Sequence, residues 1–367
     1  MGVYVGAQFV GLLFILWSCC DMHVHVHAAP SYFIFGDSLV DSGNNNYLST
    51  DARADVYPYG IDSATHLPSG RFSNGRNIPD FICMKLGIQP ILPYLDPAIN
   101  NGSTLLRGAN FASAGIGILN DTGIQFAEIL RIYQQFDLFN EYKGRITRMI
   151  GAARANRLVS QALFSITLGG NDYVNNYYLT PVSARSLEYN LPDYTRFIVS
   201  EYKKYLRRLY TMGARKVLVT STGPLGCVPA LRAMRSTNGD CAPDLQRASG
   251  LFNPQLSDVI RQLNSEVGAQ VYIFADMYSR SMGIFSNPTR YGFTDFSDAC
   301  CGQGPQNGIG LCTPASNLCP NRNLYLYWDN YHPSERANSI IVDEVFSGMS
   351  PVVSPMNIRQ LMNMTME

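Results

Sequence analysis

The stretch YFIFGDSLVDSGNN, residues 32–45, gives the first indication of the fold and the first candidate site. Its first four residues form a short apolar run that is typical of a buried β-strand, and the run ends at Gly36 and Asp37. Ser38 therefore lies on the turn that leaves a buried strand. Two roles are open for it: the serine caps a following helix, or its hydroxyl faces the edge of a sheet as a nucleophile.

Strand-like runs and helical patterns alternate along the rest of the chain. Strands are predicted at residues 32–35, 105–108, 163–168, 216–220 and 271–275. Apolar residues recur at helical spacing at residues 78–86, 124–142, 194–212, 256–267 and 337–346. This alternation predicts an α/β fold in which helices cover both faces of a parallel sheet. No repeat, low-complexity tract or linker divides the chain, so we expect one domain over residues 29–367.

The composition is that of an ordinary globular protein without a charge bias. Hydrophobic residues make up 46% of the 367 residues and charged residues 15%, which is enough apolar material for a buried core. Lys and Arg together number 28, as do Asp and Glu, so no overall field attracts nucleic acid or an anionic membrane surface. We expect a small or neutral molecule as the partner and no nucleic acid.

The N-terminal segment, residues 1–28, is predicted to be a cleaved signal peptide. Residues 9–17 are an apolar run too short to span a bilayer, and the small residues Ala28 and Ala29 follow it. Because no Lys or Arg precedes the run, an uncleaved anchor stays open as an alternative. No later segment is apolar enough to span, so we expect a secreted protein, extracellular or in the cell wall, without a stable transmembrane anchor.

Cysteine usage agrees with passage through an oxidising compartment. Nine cysteines include two in the predicted signal peptide, and six of the other seven lie in the C-terminal half, Cys83 being the exception. Short loops, such as Cys227 to Cys241 and the group from Cys300 to Cys319, are suited to disulfides, with the pairing left open. Their spacing fits no familiar zinc site, so no metal is expected. N-glycosylation sequons begin at Asn101, Asn120 and Asn363, and their use is left open.

A second candidate segment follows the predicted strand at residues 163–168. It reads LGGND at residues 168–172, where two glycines let the chain turn tightly before Asn171. The amide of Asn171 is a suitable donor to an oxyanion. The alternative is a turn that uses Gly and Asn only for their conformational freedom.

A third candidate is the base that a serine nucleophile requires. Only His66 and His332 follow the predicted signal peptide. His66 lies in a polar segment and is expected in a surface loop. Asp329 precedes His332 by three residues, so one turn of chain brings its carboxylate to Nδ1 and leaves Nε2 for a serine. His332 is therefore the expected base.

Taken in order, these segments resemble the plant GDSL esterase/lipases of the SGNH hydrolase superfamily. Besides residues 36–39, 169–172 and 328–333, the resemblance rests on GRFSNGR at 70–76, GANFASAG at 108–115, GPLGCVP at 223–229 and CCG at 300–302. It covers nearly the whole chain after residue 29. The fold it implies is a flavodoxin-like three-layer α/β/α sandwich with a central five-stranded, mostly parallel sheet.

The resemblance also implies a role for each candidate residue. Ser38 would be the nucleophile, with Asp329 and His332 completing a catalytic triad. The oxyanion hole would consist of the Ser38 N–H, the Gly115 N–H and the Asn171 side chain, with Gly108 and Gly117 as alternatives to Gly115. The implied reaction is hydrolysis of a carboxylic ester, of a small molecule or a lipid, through an acyl-enzyme and without a cofactor.

Three alternatives to this function stay open at the level of sequence. An acetyl esterase acting on cell-wall polysaccharide, or an acyltransferase, would use the same residues. A binding protein that keeps the fold without catalysis is the third alternative. The natural ester, its acyl length and the oligomeric state are not set by the sequence.

Overall fold

The computed structural model describes residues 1–2, 29–178, 182–348 and 352–364, and its centre is a six-stranded sheet. The strands are β1 (Tyr32–Gly36), β2 (Gly108–Asn110), β3 (Leu163–Thr167), β4 (Val217–Thr220), β5 (Tyr272–Ala275), β6 (Asp295–Ala299), β7 (Cys301–Gly302), β8 (Asn317–Leu318), β9 (Tyr325–Tyr327) and β10 (Val353–Ser354). The sheet order is β10-β5-β4-β3-β1-β2, and β6 pairs with β9 and β7 with β8 in two small separate sheets.

Helices follow most strands of the central sheet. They are α1 (Ile78–Leu86), α2 (Gly102–Leu105), α3 (Ile132–Ile150), α4 (Ala152–Gln161), α5 (Gly170–Asp172), α6 (Ala184–Glu188), α7 (Leu191–Thr211), α8 (Pro229–Arg235), α9 (Pro243–Val267), α10 (Met277–Ser286), α11 (Glu335–Ser347) and α12 (Ile358–Asn363). A π-helix, Tyr173–Tyr178, continues from α5.

Alternate side chains of the strands face two different helical layers. In β1, Phe33 and Phe35 belong to the core that includes α3, α4, α7 and α9. Tyr32 and Ile34 belong to the opposite core, with α1, α11 and α12. Because successive residues of a strand point to opposite faces, the sheet is covered on both sides, and the predicted α/β fold with a mostly parallel sheet is confirmed.

The central sheet has one strand more than expected. β1 to β5 are all parallel, whereas β10 pairs antiparallel with β5 at the edge. β10 is only two residues long, too short to give an apolar pattern that a sequence would reveal.

The predicted strand at residues 105–108 is misplaced. Leu105 ends α2, and the strand runs instead from Gly108 to Asn110. Gly108 has a φ of +117°, and a Cβ there would lie 2.0 Å from the carbonyl oxygen of Tyr32. Only glycine lets β2 approach β1 this closely, so the backbone, and not the apolar pair at 105 and 106, decides where this strand lies.

Two of the predicted helices begin far from the predicted residue. Residues 124–126 form only a short 3₁₀ turn, and α3 runs from Ile132 to Ile150, because apolar residues of the preceding loop imitate helical spacing. α9 begins at Pro243, not at residue 256, and continues through Pro254. Pro254 has no backbone N–H to donate within the helix. Buried residues on both sides of it, including Phe252 and Leu256, hold the helix against the core so that it continues through the proline.

The predicted signal peptide at residues 1–28 lies almost entirely outside the described residues and stays a prediction, as does the single domain over 29–367. Within the parts of the chain that are described, no helix has the length and apolarity needed to cross a membrane.

Three disulfides close loops in the C-terminal half. They join Cys227 to Cys241, Cys300 to Cys319 and Cys301 to Cys312, whereas Cys83 is a buried free thiol. The two predicted groups of disulfide-forming cysteines are therefore confirmed, and the structure supplies the pairing that the sequence leaves open.

The core around β1 provides a test of the packing. The Phe33 ring lies with its centroid 5.0 Å from that of Phe139, 5.1 Å from Tyr142 and 5.0 Å from Phe164. We expect Phe33→Ala to lower the free energy of unfolding by roughly 3–5 kcal/mol, measured by denaturant titration with the disulfides intact, because it removes buried surface and leaves a cavity.

Ile124→Ala is the control, because the Ile124 side chain is 66% exposed and its loss should change stability by less than about 0.5 kcal/mol. Equal effects of the two substitutions would contradict this account of the core.

Candidate active site

The carboxyl ends of β1, β2 and β3 bring three loops to one edge of the sheet. Gly36, the last residue of β1, pairs with Thr167 at the end of β3. Ser38 lies two residues after Gly36, and Asn171 lies four residues after Thr167. The loop after β2 joins them, since the backbone N–H of Ser113 donates to the Gly36 carbonyl at 2.9 Å. Three of the predicted segments therefore meet where parallel sheets usually bind their ligands.

The turn that carries Ser38 is fixed by a buried glutamine of α3. Gly36 has a φ of +141°, and a Cβ there would lie 2.4 Å from the Thr167 carbonyl oxygen. The Gln135 side chain accepts from the Gly36 N–H at 3.0 Å and donates to the Gly36 carbonyl at 2.9 Å. Sequence reasoning missed Gln135. The sequence does mark Gln135 as unusual, because it is a polar residue on the apolar face of a helix, between Ile132 and Phe136.

Ser38, His332 and Asp329 form a continuous hydrogen-bonded line. The Ser38 Oγ lies 2.8 Å from His332 Nε2, and His332 Nδ1 lies 2.8 and 2.9 Å from the two carboxylate oxygens of Asp329. With its proton on Nδ1, directed at the carboxylate, the imidazole accepts the Ser38 hydroxyl at Nε2. The structure thus brings together all three residues of the predicted triad.

The turn from Asp329 to His332 is held by its own backbone. The Asp329 Oδ1 accepts from the N–H groups of Tyr331 at 2.9 Å and His332 at 2.8 Å, and Trp328 N–H donates to the His332 carbonyl at 2.8 Å. α11 begins directly afterwards, capped by Ser334. The three-residue spacing in the sequence therefore forms a closed turn that leaves the imidazole facing β1.

The Asp329 carboxylate keeps its charge although it is only 1% exposed. Burial alone would raise the pKa of Asp329, but the charge of His332 and the hydrogen bonds from His332, Tyr331 and Tyr59 outweigh it. The pKa therefore lies below the ordinary value of 3.8. At neutral pH the imidazole thus faces an ionised carboxylate.

The Asn171 side chain has a defined orientation beside this line. Its Nδ2 donates to the Ile116 carbonyl at 2.8 Å, and its Oδ1 accepts from Asn175 Nδ2 at 2.8 Å. These two bonds distinguish the amide nitrogen from the oxygen. An amide nitrogen carries two hydrogens, and the bond to Ile116 uses one of them.

The loop after β2, residues 111–119, is attached to both neighbouring segments by buried carboxylates. Asp41 accepts from Ala114 N–H at 3.2 Å, and Asp172 accepts from the N–H groups of Ile118 at 2.7 Å and Leu119 at 3.0 Å. Burial raises the pKa of each of the two carboxyls to about 6. Their role in joining the three segments was not recognised from the sequence.

The structure excludes one of the three glycines considered for the oxyanion hole. Gly115 lies in this loop with a φ of +90°, and a Cβ there would lie 2.6 Å from the Phe126 ring, so only glycine fits. Gly117 lies in the same loop against Asp172. Gly108 pairs with Tyr32 at the amino end of β1, the opposite edge of the sheet from Ser38. Gly108 is therefore not part of the site.

His66 is exposed in a loop, where its Nδ1 lies 2.7 Å from the Ile61 carbonyl oxygen. This confirms the predicted surface position. Among the described residues, no group of three or more His, Cys, Asp or Glu side chains is arranged to hold a metal ion.

Comparison with known proteins identifies the family. The model described as GDSL-like Lipase/Acylhydrolase matches residues 32–345. The chain belongs to the GDSL esterase/lipase family. The GDSL esterase/lipase LTL1 of Arabidopsis thaliana is 58% identical to it over 332 residues, which are 90% of each chain. A second GDSL esterase/lipase of the same plant is 57% identical, covering 89% of this chain and 91% of the relative.

These matches confirm the resemblance to plant GDSL esterase/lipases and the enzyme class, a carboxylic ester hydrolase. Among solved structures, phospholipase A1 from Streptomyces albidoflavus aligns with 86% of this chain and 99% of its own, at 13% identity and a TM-score of 0.38.

Asp37, in the GDSL segment, provides a test of the electrostatics of the site. Burial raises the pKa of Asp37 from 3.8 to about 7, which the Leu39 N–H and the charge of His332 only partly oppose. A carboxyl with a raised pKa stabilises the fold most fully below pH 3.8, and this contribution is lost as the pH rises through about 7. Wild-type stability should therefore fall across this range relative to Asp37→Asn, which keeps an oxygen for Leu39 and does not ionise.

The measurement is the thermal unfolding temperature of both proteins over a series of pH values. Asp96→Asn is the matched control, because Asp96 accepts the Ala98 N–H at 2.8 Å in the same way but in an exposed turn outside the site. Parallel curves for wild type and Asp37→Asn would show that Asp37 does not titrate in this range.

Proposed function

We propose that this protein hydrolyses carboxylic esters through an acyl-enzyme on Ser38. The observation that carries the proposal is the line from Ser38 Oγ to His332 Nε2, 2.8 Å, and from His332 Nδ1 to Asp329, 2.8 Å. His332 takes the hydroxyl proton while Ser38 attacks the ester carbonyl, and it returns that proton to the departing alcohol. Water, activated by the same imidazole, then releases the acid.

Charge that develops on the carbonyl oxygen is stabilised by three donors in this mechanism. These are the backbone N–H groups of Ser38 and Gly115 and the second N–H of Asn171. The fixed orientation of the Asn171 amide supports its assignment, because a donor that needs no reorganisation stabilises a transition state most effectively. The left-handed backbone at Gly115 supports the assignment of the Gly115 N–H as a donor, because a glycine allows close approach of the substrate.

The exposed side chains near the site favour an ester with an apolar acyl chain. Two loops each carry an exposed apolar side chain, Ile124 and Leu311, and both side chains are 66% exposed. Hydrogen bonds connect these loops to the site, since Gln125 donates to the Asn175 carbonyl at 3.4 Å and Asn330 to the Gly310 carbonyl at 3.0 Å. Such surroundings suit a lipid ester better than an acetylated glycan.

The secretory pathway is the compartment that best fits this function. Three disulfides support it, because such bonds form and persist in oxidising compartments. The asparagines of the three sequons, Asn101, Asn120 and Asn363, are exposed, which glycosylation during export requires. The final destination in this proposal is the extracellular space or the cell wall.

Ser38→Ala tests the nucleophile. We expect wild-type protein to form a covalent adduct with a serine-directed phosphonate and to cleave p-nitrophenyl esters, and Ser38→Ala to do neither. Mass spectrometry of the intact protein measures the adduct. Ser200→Ala, an exposed serine of α7, is the control and should behave as wild type. An adduct on Ser38→Ala would place the nucleophile elsewhere, and a wild type without adduct or turnover would favour a non-catalytic binding protein.

The substrate class is tested by comparing wild-type protein with Ser38→Ala on a panel of esters of different acyl length and of acetylated polysaccharides. We expect turnover to rise from acetyl to medium-chain esters, and a preference for acetylated polysaccharide would contradict the apolar acyl chain. Added alcohol that captures the acyl group in place of water would identify a transferase.

Asn171→Ala tests the oxyanion hole. Loss of one such donor costs about 3 to 4 kcal/mol in the activation barrier, so we expect turnover to fall about a hundredfold or more. Asn238→Ala, in an exposed loop, is the control. An unchanged kcat in Asn171→Ala would exclude this amide from the oxyanion hole.

A further inference from the structure

We propose that Tyr59 is a positioning residue of this site, whose hydroxyl holds the Asp329 carboxylate against Nδ1 of His332. The inference rests on the proposed function, because it assigns a part to Tyr59 in the same reaction. Tyr59 lies 270 residues before Asp329 and comes from a different loop of the fold, and its hydroxyl donates to Asp329 Oδ2 at 2.7 Å.

The two oxygens of the Asp329 carboxylate have different partners. Oδ1 accepts the N–H groups of Tyr331 and His332 as well as Nδ1 of His332, so the turn itself satisfies it. Oδ2 accepts only two donors, Nδ1 at 2.9 Å and the Tyr59 hydroxyl at 2.7 Å. Tyr59 is therefore the one donor from outside the Asp329–His332 turn to this carboxylate among the described residues.

Aromatic contacts fix the position of the Tyr59 ring. The ring meets Trp328 edge-on at a centroid distance of 6.0 Å and Phe72 edge-on at 5.9 Å. Phe72 in turn lies 4.8 Å from the imidazole of His332. Tyr59 and Phe72 thus pack against both members of the acid–base pair, and Tyr59 itself is only 4% exposed.

The loop that supplies these two rings, residues 55–76, is anchored at several points. Gly60 N–H donates to the Ser73 carbonyl at 3.0 Å, which joins the part of the loop near Tyr59 to the part near Phe72. Arg71 makes two bonds to Asp80 of α1, at 2.6 and 2.9 Å, and both side chains are largely buried. The loop therefore holds the hydroxyl in a fixed position.

Tyr59 keeps its proton under all assay conditions, so it acts only as a donor. Burial, together with the neighbouring charge of Asp329, raises the pKa of Tyr59 well above 10. The hydroxyl spreads part of the carboxylate charge without removing it. Without the hydroxyl, Nδ1 of His332 is the one remaining donor to Oδ2. The carboxylate is then more basic, and it binds imidazolium more strongly.

Tyr59→Phe removes the hydroxyl and keeps the ring. We expect kcat to fall about tenfold or more, because the carboxylate is no longer held against Nδ1 and the imidazole loses its fixed orientation toward Ser38, and we expect KM for a short soluble ester to stay unchanged. The acid limb of the kcat/KM profile should move to higher pH, because imidazolium is stabilised. In Asp329→Asn, which removes the charge itself, the same limb should move to lower pH.

Tyr142→Phe is the matched control. Tyr142 is as deeply buried and donates its hydroxyl to the Leu105 carbonyl at 2.6 Å, in the core and outside the site. It should lose stability as Tyr59→Phe does but keep the wild-type kcat and acid limb. All rates are expressed per site titrated with phosphonate, so an unfolded fraction does not enter the comparison.

The outcomes separate this inference from the function on which it rests. If Ser38→Ala is inactive while Tyr59→Phe keeps the wild-type kcat and acid limb, the positioning role is wrong and the hydrolase mechanism stands. If Ser38→Ala remains active, the mechanism itself fails. If kcat of Tyr59→Phe falls only as much as kcat of Tyr142→Phe, and its acid limb does not shift, the effect of the substitution is a general structural one and the positioning role is wrong. In the double variant Tyr59→Phe/Asp329→Asn, the loss due to Tyr59→Phe should disappear.

Discussion

The negative charge of Asp329 has to be stabilised inside the protein, and much of the site follows from that requirement. A carboxylate that is 1% exposed has lost its hydration and needs donors at both oxygens. The chain supplies them from the turn that follows Asp329, from His332 and from Tyr59 in a distant loop. Satisfying one buried charge thus joins the N-terminal and C-terminal parts of the fold at the place where Ser38 lies.

The edge of the sheet is organised in the same way, by polar side chains inside the protein. Loops that leave the strands expose N–H groups with no partner of their own, and Asp41, Asp172 and Gln135 accept them. Each of these side chains connects segments distant in sequence. Hydrogen bonds have directions that apolar contacts lack, so such connections fix the loops to the accuracy that a catalytic geometry needs.

Local signals in the sequence were sufficient for much of the fold. α1 lies at the predicted residues because Asn77 caps its start and Gly87, in the left-handed region, ends it. β1 was recognisable from four consecutive apolar residues. The start of α9 was not, because Pro254 interrupts a pattern that tertiary packing sustains, and β10 is too short to form any pattern.

The site could also be predicted in part, because several of its residues lie next to elements that local sequence patterns reveal. Ser38, Asn171 and His332 each follow or precede an element that the pattern reveals, and the small number of histidines left one candidate base. Tyr59 belongs to no such pattern, because only folding brings it to Asp329 across 270 residues. The pairing of Cys300 and Cys301 was likewise undetermined, since the four cysteines from Cys300 to Cys319 allow three pairings that only the folded backbone distinguishes.

The separation of 294 residues between Ser38 and His332 has a consequence for the order of events in biosynthesis. Ser38 is among the first residues of the domain to be synthesised, whereas Asp329 and His332 are among the last. A nascent chain therefore carries its serine without a partner imidazole until the 294 residues that separate the two have been synthesised. On the proposed mechanism, a nascent chain that has not yet reached His332 is inert toward esters, and competence arises only once the segment with Asp329 and His332 has folded back onto β1.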